Sequence, residues 1–402
     1  MRGPYILQLE RESDVLRQFW EIGCDPQSCQ IMSKKSKIIP LFLKEVKSPA
    51  ANILKQQMLS LGGEAVVGRG VINYSQEYSD VLLLGTIKEY ELLLEKLFQQ
   101  PWGLKTLAEK LQLLLENFQG KKYVTWEWPE RKLTLGDKVL VMGILNVTPD
   151  SFSDGGKYRE PEQALEHAWK MVEEGADIID LGGQSTRPGF EPVSSEEELK
   201  RVLPVLEKLL LEKIPVPISL DTYKAEVAEE ALAMGVHIIN DEGGGLKDLR
   251  MAEVVAGFQA PVIIMHNPEI GSYDDLIPDL VDSLAEQVKI YERAGLPSEK
   301  MAIDPGVGFG KDYQQNLKVL KKLKSLGTLG KPMLLGASRK SFIGETLNLP
   351  ASERLGGSLA AAAWGVMNDA DILRVHDVRE TVSLVKVLEA IKTEGVRCER
   401  IR

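Results

Sequence analysis

From residue 139 onward the chain repeats one pattern of apolar and polar positions. A short, nearly continuous apolar run ends in polar residues, and a segment with apolar residues at i, i+3 and i+4 follows. The runs are VLVMGILNV (139–147), DIIDLGG (177–183), VPISLDT (216–222), VHIINDE (236–242), PVIIMHN (261–267), MAIDPG (301–306), PMLLGAS (332–338) and DILRVHD (371–377). Such runs suit parallel strands buried on both faces. The segments 163–175, 195–210, 224–235, 248–257, 280–295, 313–327, 353–368 and 380–392 carry the helical period. About eight β/α units in roughly 260 residues match the usual size of a (β/α)8 TIM barrel. The rival is an open doubly wound sheet. It would be expected to show a G-x-G-x-x-G turn after its first strand, and GILNVTPDSF has none.

The rhythm before residue 123 is different. ILKQQMLSLGG (53–63) reads as an amphipathic helix ending at a glycine cap. EAVVGRGVI (64–72) and DVLLLGT (80–86) read as strands, and 87–100 and 103–118 as helices. The aromatic, Pro-containing segment YVTWEWPER (123–131) marks the boundary. The expectation is an α/β protein: a small N-terminal α/β extension over 1–125, without a catalytic constellation, and a barrel over 126–402.

Composition narrows the function. The chain has 402 residues, 44% of them hydrophobic, and a net charge of -10. An acidic chain without Lys/Arg blocks argues against nucleic acid as the main partner, though a local phosphate site needs only a few donors. Cys24, Cys29 and Cys398 show no C-x-x-C spacing, so neither a zinc site nor a disulfide framework is implied. No apolar run reaches the roughly 18 residues of a membrane helix. With no signal-peptide pattern either, a cytoplasmic protein without a membrane partner is expected.

Barrels place catalytic groups at the C-terminal ends of their strands. Those ends hold Asn146 and Asp150, Thr186 and Arg187, Asp221, Asn240, His266, Asp304, the cluster Ser338–Ser341, and Arg374 with His376. Arg374 and His376, at i and i+2, share a strand face. A guanidinium fork and an imidazole donor suit phosphate oxygens, and strands seven and eight are where barrels commonly bind phosphate. Arg187, Asn146 and the Asp150 loop are placed to join them, with a divalent ion supplying charge. The plainer alternative for Arg374 is a salt bridge to Asp377 or Asp371. Asp221, Asn240 and Asp304 suit a flat, neutral, polar heterocycle, whose amino-imine edge offers N–H donors to a carboxylate. Their alternative is pairing with lysines of the mouth. Met265 and Phe309 are candidate apolar walls, and Lys340 a candidate donor to the ring. The glycines of DPGVGFG (304–310) either cradle phosphate through backbone N–H groups or bring the backbone close to a flat ligand.

In order along the chain, VMGILNVTPDSFSDGG, GADIIDLGGQSTRPG, PISLDTYKAEVAEEAL, IDPGVGFGK, LLGASRKSFIG and LRVHDV resemble dihydropteroate synthase of folate biosynthesis. The resemblance runs from about residue 132 to 391. It implies a transferase, a (β/α)8 barrel that is usually a homodimer, and a requirement for Mg²⁺. The small-molecule substrates it implies are 6-hydroxymethyl-7,8-dihydropterin pyrophosphate and p-aminobenzoate, giving 7,8-dihydropteroate and pyrophosphate. Carried onto this chain, it puts the pterin against Asp221, Asn240, Met265, Asp304 and Lys340. It puts the pyrophosphate against Asn146, Arg187, Arg374 and His376, with the metal at Asn146. It puts p-aminobenzoate, and sulfonamides that mimic it, near Phe152, Thr186, Pro188, Phe309, Lys340 and Ser341. Catalysis falls to Asp221, Asp304, Lys340, Arg374 and His376, with the loops 148–156 and 183–189 closing the site.

Three departures stand out. Gln184 occupies a position that is commonly Glu. NDEGGG (240–245) carries Glu242 where Val or Ile is usual. MHNPE (265–269) lacks a Met that often follows the His. Residues 1–125 resemble the extension of some clostridial-type members. The rivals are a methyltetrahydrofolate:corrinoid methyltransferase-like barrel, which needs neither the SRKS cluster nor the Arg374–His376 pair, and a non-catalytic pterin-binding barrel, which would have lost part of the anion set.

Overall fold

The computed structural model describes residues 6, 7, 9, 12–119, 123–147, 160–184, 193–268 and 273–393. The chain divides into two compact units, Met1–Gln119 and Gly120–Arg402.

The first unit runs α1 (Glu12–Ile22), α2 (Pro26–Ser33), β1 (Ile39–Lys47), α3 (Ser48–Ser60), β2 (Glu64–Val67), β3 (Tyr78–Gly85), α4 (Ile87–Leu97) and α5 (Leu104–Gln119). Its antiparallel sheet has the order β1-β3-β2. Val81 and Leu83 of the central strand pack with Leu54 and Met58 of α3, Tyr90 and Leu93 of α4, and Leu111 of α5. The segment 64–72, read as one strand, stops at Val67 and turns through a short 3₁₀ helix, Arg69–Val71. β1 was not anticipated. Its apolar alternation is broken by Pro40, Lys44 and Glu45, which an edge strand tolerates. The register slips between Leu43 and Val46, where Glu45 has φ 53°.

The second unit opens with a hairpin, β4 (Val124–Trp128) and β5 (Arg131–Leu135). Alternating elements follow: β6 (Leu140–Asn146), α6 (Glu160–Glu173), β7 (Ile178–Gly182), α7 (Ser195–Leu211), β8 (Ile218–Asp221), α8 (Ala225–Met234), β9 (Ile238–Asp241), α9 (Met251–Gly257), β10 (Val262–Met265), α10 (Leu276–Arg293), β11 (Met301–Asp304), α11 (Tyr313–Lys321), β12 (Leu334–Leu335), α12 (Ser341–Leu347), α13 (Leu355–Met367), β13 (Ile372–Val375) and α14 (Val378–Lys392). The eight parallel strands lie in the order β11-β10-β9-β8-β7-β6-β13-β12. A parallel bridge between Ile303 and Met333 joins the two ends, so the sheet closes into a barrel. The open-sheet rival is thereby excluded. The helical run expected over 313–327 is shorter: α11 ends at Lys321 and a 3₁₀ segment, Leu323–Leu329, continues.

Side chains alternate across each barrel strand. Val141, Ile179, Leu220, Ile239, Ile264, Ile303, Leu335 and Leu373 point outward into the core shared with the helices. Leu140, Met142, Ile178, Ile238, Ile263, Ala302, Leu334 and Ile372 point inward at the N-terminal end. The hairpin closes that end. Trp126, Val124, Leu133 and Leu135 pack beneath these inward residues. Trp126 Nε1 donates to Glu299 O (2.9 Å), and Arg131 Nη1 donates to the carbonyls of Ile214 (3.0 Å) and Val216 (2.6 Å). The aromatic segment that marked a boundary in the sequence is therefore the floor of the barrel.

Candidate active site

The inward register is apolar below and polar above. Two residues beyond Ile178, Ile238, Ala302 and Ile372 stand Asp180, Asn240, Asp304 and Arg374, one strand step nearer the mouth. Asp221 and Asn146 end β8 and β6 on the same register. A closed barrel thus converts period-2 alternation into a ring of polar groups over an oily base.

Arg374 is the hub of that ring. Its Nε donates to Asp180 Oδ2 (2.6 Å) and its Nη2 to Asp221 Oδ2 (2.5 Å). Asn240 Nδ2 donates to the same Asp180 oxygen (3.2 Å). Burial opposes the charge of Arg374, but Asp221 and Asp180 outweigh it and hold the guanidinium protonated. The sequence alternative of a salt bridge to Asp377 or Asp371 does not hold. Asp377 pairs with Arg339, and Asp371 accepts the Met333 N–H. Asp180 was missed by a reading confined to strand ends. It is fully buried, and its Oδ1 has no partner among the described residues. The signal was available: a carboxylate in the middle of an apolar strand needs a cation nearby.

Burial also raises the pKa of Asp221, strongly, and of Asp304, each against the pull of nearby cations. For Asp304 those are Lys340, Arg374 and Lys311. Lys340 donates to Val307 O (2.6 Å), and its ammonium lies 3.9 Å from the centre of the Phe309 ring. Burial pulls its pKa down to about 8. The backbone that carries it is held from behind. Arg339 sits at φ 59°, and Arg354 Nη1 donates to the carbonyls of Arg339 (3.0 Å) and Lys340 (3.3 Å). Ser341 is exposed and opens α12, a helix the sequence reading did not foresee.

The loop after β11 corrects one expectation. Gly306 N–H donates to Asp304 Oδ1 (2.7 Å) and Gly308 N–H to Asn316 Oδ1 (2.6 Å). These donors are engaged, so they do not form a phosphate cradle. The close-approach alternative fits instead. A Cβ on Gly308 would run into the Lys340 side chain, and Gly306, at φ 64°, faces the His266 carbonyl. Lys311 ties the turn together, reaching the carbonyls of Gly306 (3.0 Å) and Phe309 (3.1 Å) and His266 Nδ1 (3.1 Å). Burial, then Lys311, depress the His266 pKa to about 3, so the ring stays neutral there.

At the other rim, Ser338 Oγ accepts the His376 N–H (3.3 Å) and lies 3.0 Å from His376 Nδ1. In the tautomer that carries the ring proton on Nε2, the Ser338 hydroxyl donates to Nδ1 and Nε2 is a donor for an anion. Asn146 Oδ1 lies 3.3 Å from where a Cβ on Gly182 would stand, so the bare glycine keeps space between Asn146 and Asp221. Met265 is buried on the inward register. Gln184 accepts from Lys224 Nζ (2.8 Å), which also pairs with Glu198. A neutral Gln leaves that lysine matched to a single carboxylate. Asp150, Phe152, Thr186, Arg187 and Pro188 lie outside the described residues. Among the described residues no group of three or more His, Cys, Asp or Glu is arranged to hold a metal ion.

A closed barrel with an Arg–carboxylate ring, an amide and a half-buried lysine at its mouth is a site with the chemistry to hold a polar heterocycle carrying an anionic group. Residues 142–376 match the family model described as pterin binding enzyme. The chain belongs to that family, and within it to the dihydropteroate synthases. It is 49% identical over 263 residues to the dihydropteroate synthase of Bacillus subtilis, covering 65% of this chain and 92% of that one. It resembles the dihydropteroate synthase of Clostridium difficile, solved in the presence of pteroic acid, with TM-score 0.63 and 49% identity over 64% of this chain and 98% of that one. A Halobacterium salinarum protein described as a bifunctional folylpolyglutamate synthase/dihydropteroate synthase is 41% identical over 359 residues, 87% of this chain and 42% of its own length. That match is longer than residues 120–402 alone can supply, so it extends into the N-terminal unit.

Proposed function

We propose that the residues at the barrel mouth carry out the synthase reaction by dissociative C–O cleavage. The observation that carries this reading is the pairing of Arg374 with Asp180 and Asp221 beside Asn240, Asp304 and Lys340. The pterin lies against Asp221, Asn240, Met265, Asp304 and Lys340. A guanidinium has five N–H donors, and the two carboxylates engage two of them. The others, with His376 Nε2–H and Arg187, meet the pyrophosphate. As the C–O bond breaks, the electron pair leaves with pyrophosphate and the pterin becomes a cation. Asp221 and Asp304 stabilise that cation in place, with no reorganisation at the moment of reaction. The amine of p-aminobenzoate then forms the C–N bond, and its proton passes to the departing pyrophosphate or to water. An aromatic amine is already a neutral nucleophile, so no strong general base is needed. Phe309, Lys340 and Ser341 border its subsite, with Phe152, Thr186 and Pro188 on the loops. Sulfonamides compete there.

Mg²⁺ fits the donor set only as an ion held by few protein oxygens, Asn146 Oδ1 first among them, with substrate oxygens completing its shell. Bound there, it supplies counter-charge to the leaving group. The reading also carries a homodimer, a cytoplasmic setting and a structural role for the N-terminal unit. Among the described residues no helix is long and apolar enough to cross a membrane.

The test is p-aminobenzoate-dependent release of pyrophosphate from the pterin pyrophosphate, with and without Mg²⁺. Turnover is expected only with all components present; none at all would sink the reading. Pterin binding without binding of pyrophosphate and Mg²⁺ would favour the scaffold rival. A version of the chain beginning at Tyr123 keeps the hairpin and the whole barrel. Its kcat/KM should stay within about threefold of the full chain, because the Bacillus relative is 92% covered by a match to 65% of this one. A larger fall would give the N-terminal unit a part in catalysis.

Lys340 makes the rate pH-dependent. Its proton is lost as pH rises through about 8, and kcat/KM should decline over the same interval. Lys340→Arg, which stays charged, should move the decline to higher pH. A pH series of initial rates checks this, and an unmoved alkaline limb would remove Lys340 from the assignment.

A further inference from the structure

Glu242 stands where an apolar residue is usual, and its surroundings do not explain it as packing. It is 6% exposed at the C-terminal end of β9. Its neighbour Asp241 points away from the mouth: one oxygen accepts the Tyr291 hydroxyl (2.6 Å) and the other the Gly243 N–H (2.8 Å). Asn240, on the other face, reaches across the mouth to Asp180. Glu242 follows on the Asn240 side. Its backbone carbonyl accepts from Asn267 Nδ2 (3.0 Å). Burial raises the pKa of its carboxyl against the pull of Lys247 and Arg374, which act through space without a hydrogen bond or ion pair among the described residues. Its charge is nevertheless felt inside the mouth, where it raises the pKa values of Asp221 and Lys340. A carboxyl at the mouth, largely shielded from water and without a donor among the described residues, gains from a donor that a ligand brings.

We propose that Glu242 is a further substrate-binding carboxylate of this site, accepting an N–H of the pterin ring. This rests on the pterin-binding reading above. The pterin is the substrate component that fits, because it carries ring N–H and amino donors. Pyrophosphate has no N–H donor, and the amine of p-aminobenzoate is turned to the reacting carbon, which leaves its carboxylate as the end that Glu242 would repel. Glu242 therefore joins Asp221 and Asp304 in recognising the heterocycle and adds negative field on the side of the ring that becomes cationic.

The test substitutes the usual apolar residue. Glu242→Val should raise the thermal midpoint, because a buried acid without a protein donor is removed. It should weaken binding of 6-hydroxymethylpterin about tenfold in isothermal titration, the scale of a hydrogen bond to a charged acceptor. Binding of pyrophosphate with Mg²⁺ should be unchanged or tighter. Unchanged pterin affinity would overturn the proposal. So would a lowered midpoint or failure to fold, which would mark Glu242 as structural. If the unsubstituted chain binds pterin but releases no pyrophosphate, the synthase reading falls while the comparison with Glu242→Val still decides this one.

Discussion

Arg374→Ala should lose activity by about 10²–10³-fold in kcat, the scale seen when one preorganised charge-stabilising donor is removed. It should also lose about 3–5 kcal/mol of stability, because Asp180 is left buried without its counter-charge. The two losses have separate origins. Adding Asp180→Asn removes the stranded charge, so the double variant should regain much of the stability while staying inactive. Urea unfolding and steady-state rates of the unsubstituted chain and the two variants measure both. A single variant as stable as the unsubstituted chain would mean that the Arg374–Asp180 pair is not the buried anchor described. A normal rate would remove Arg374 from pyrophosphate handling.

Gly306→Ala should be the most damaging glycine substitution in the mouth. Two penalties coincide. The residue sits at φ 64°, which costs an L side chain about 1–2 kcal/mol. The added Cβ would also overlap the His266 carbonyl, a backbone atom that cannot swing aside. Relief requires the turn to move, and the Gly306 N–H bond to Asp304 moves with it. Loss of activity by at least about 10²-fold is expected, consistent with the sensitivity of rate to displacements near 1 Å. Gly295→Ala is the control. It has φ 97° with open space around the Cβ, so it pays the backbone term alone and should stay fully active. Equal effects from the two would show that crowding against His266 is not what fixes the turn.

Much of the barrel was legible because its strands are buried on both faces and its helices on one. Those two periodicities do not resemble each other. The runs ending at Asn146, Asp221, Asn240, Asp304 and Arg374 all became strands, and their polar ends share one mouth. What could not be read was set by contacts distant in sequence. Asp180 lies inside its strand; the sequence shows that it needs a cation, but only the fold, bringing β13 alongside, shows that the cation is Arg374. The segment holding the hairpin at 124–135 read only as a boundary because its partners, Ile178, Ile263 and Leu334 among them, lie far along the chain. The DPGVGFG turn had two readings, and only the capture of its N–H groups by Asp304 and Asn316 chose between them. Glu242 was visible as a departure, but burial without a donor is a fact of three dimensions.

The pairing of β13 with β6 carries a consequence for how the protein is made. Leu140 and Ile372 are partners in that ladder, although one belongs to the first barrel strand and the other to the last. In the order of synthesis, β6 to β9 precede β13 by more than a hundred residues. Asp180 and Asp221 gain their Arg374 partner only once that strand has been made. The polar ring around Arg374 therefore cannot close until nearly the whole barrel has been synthesised.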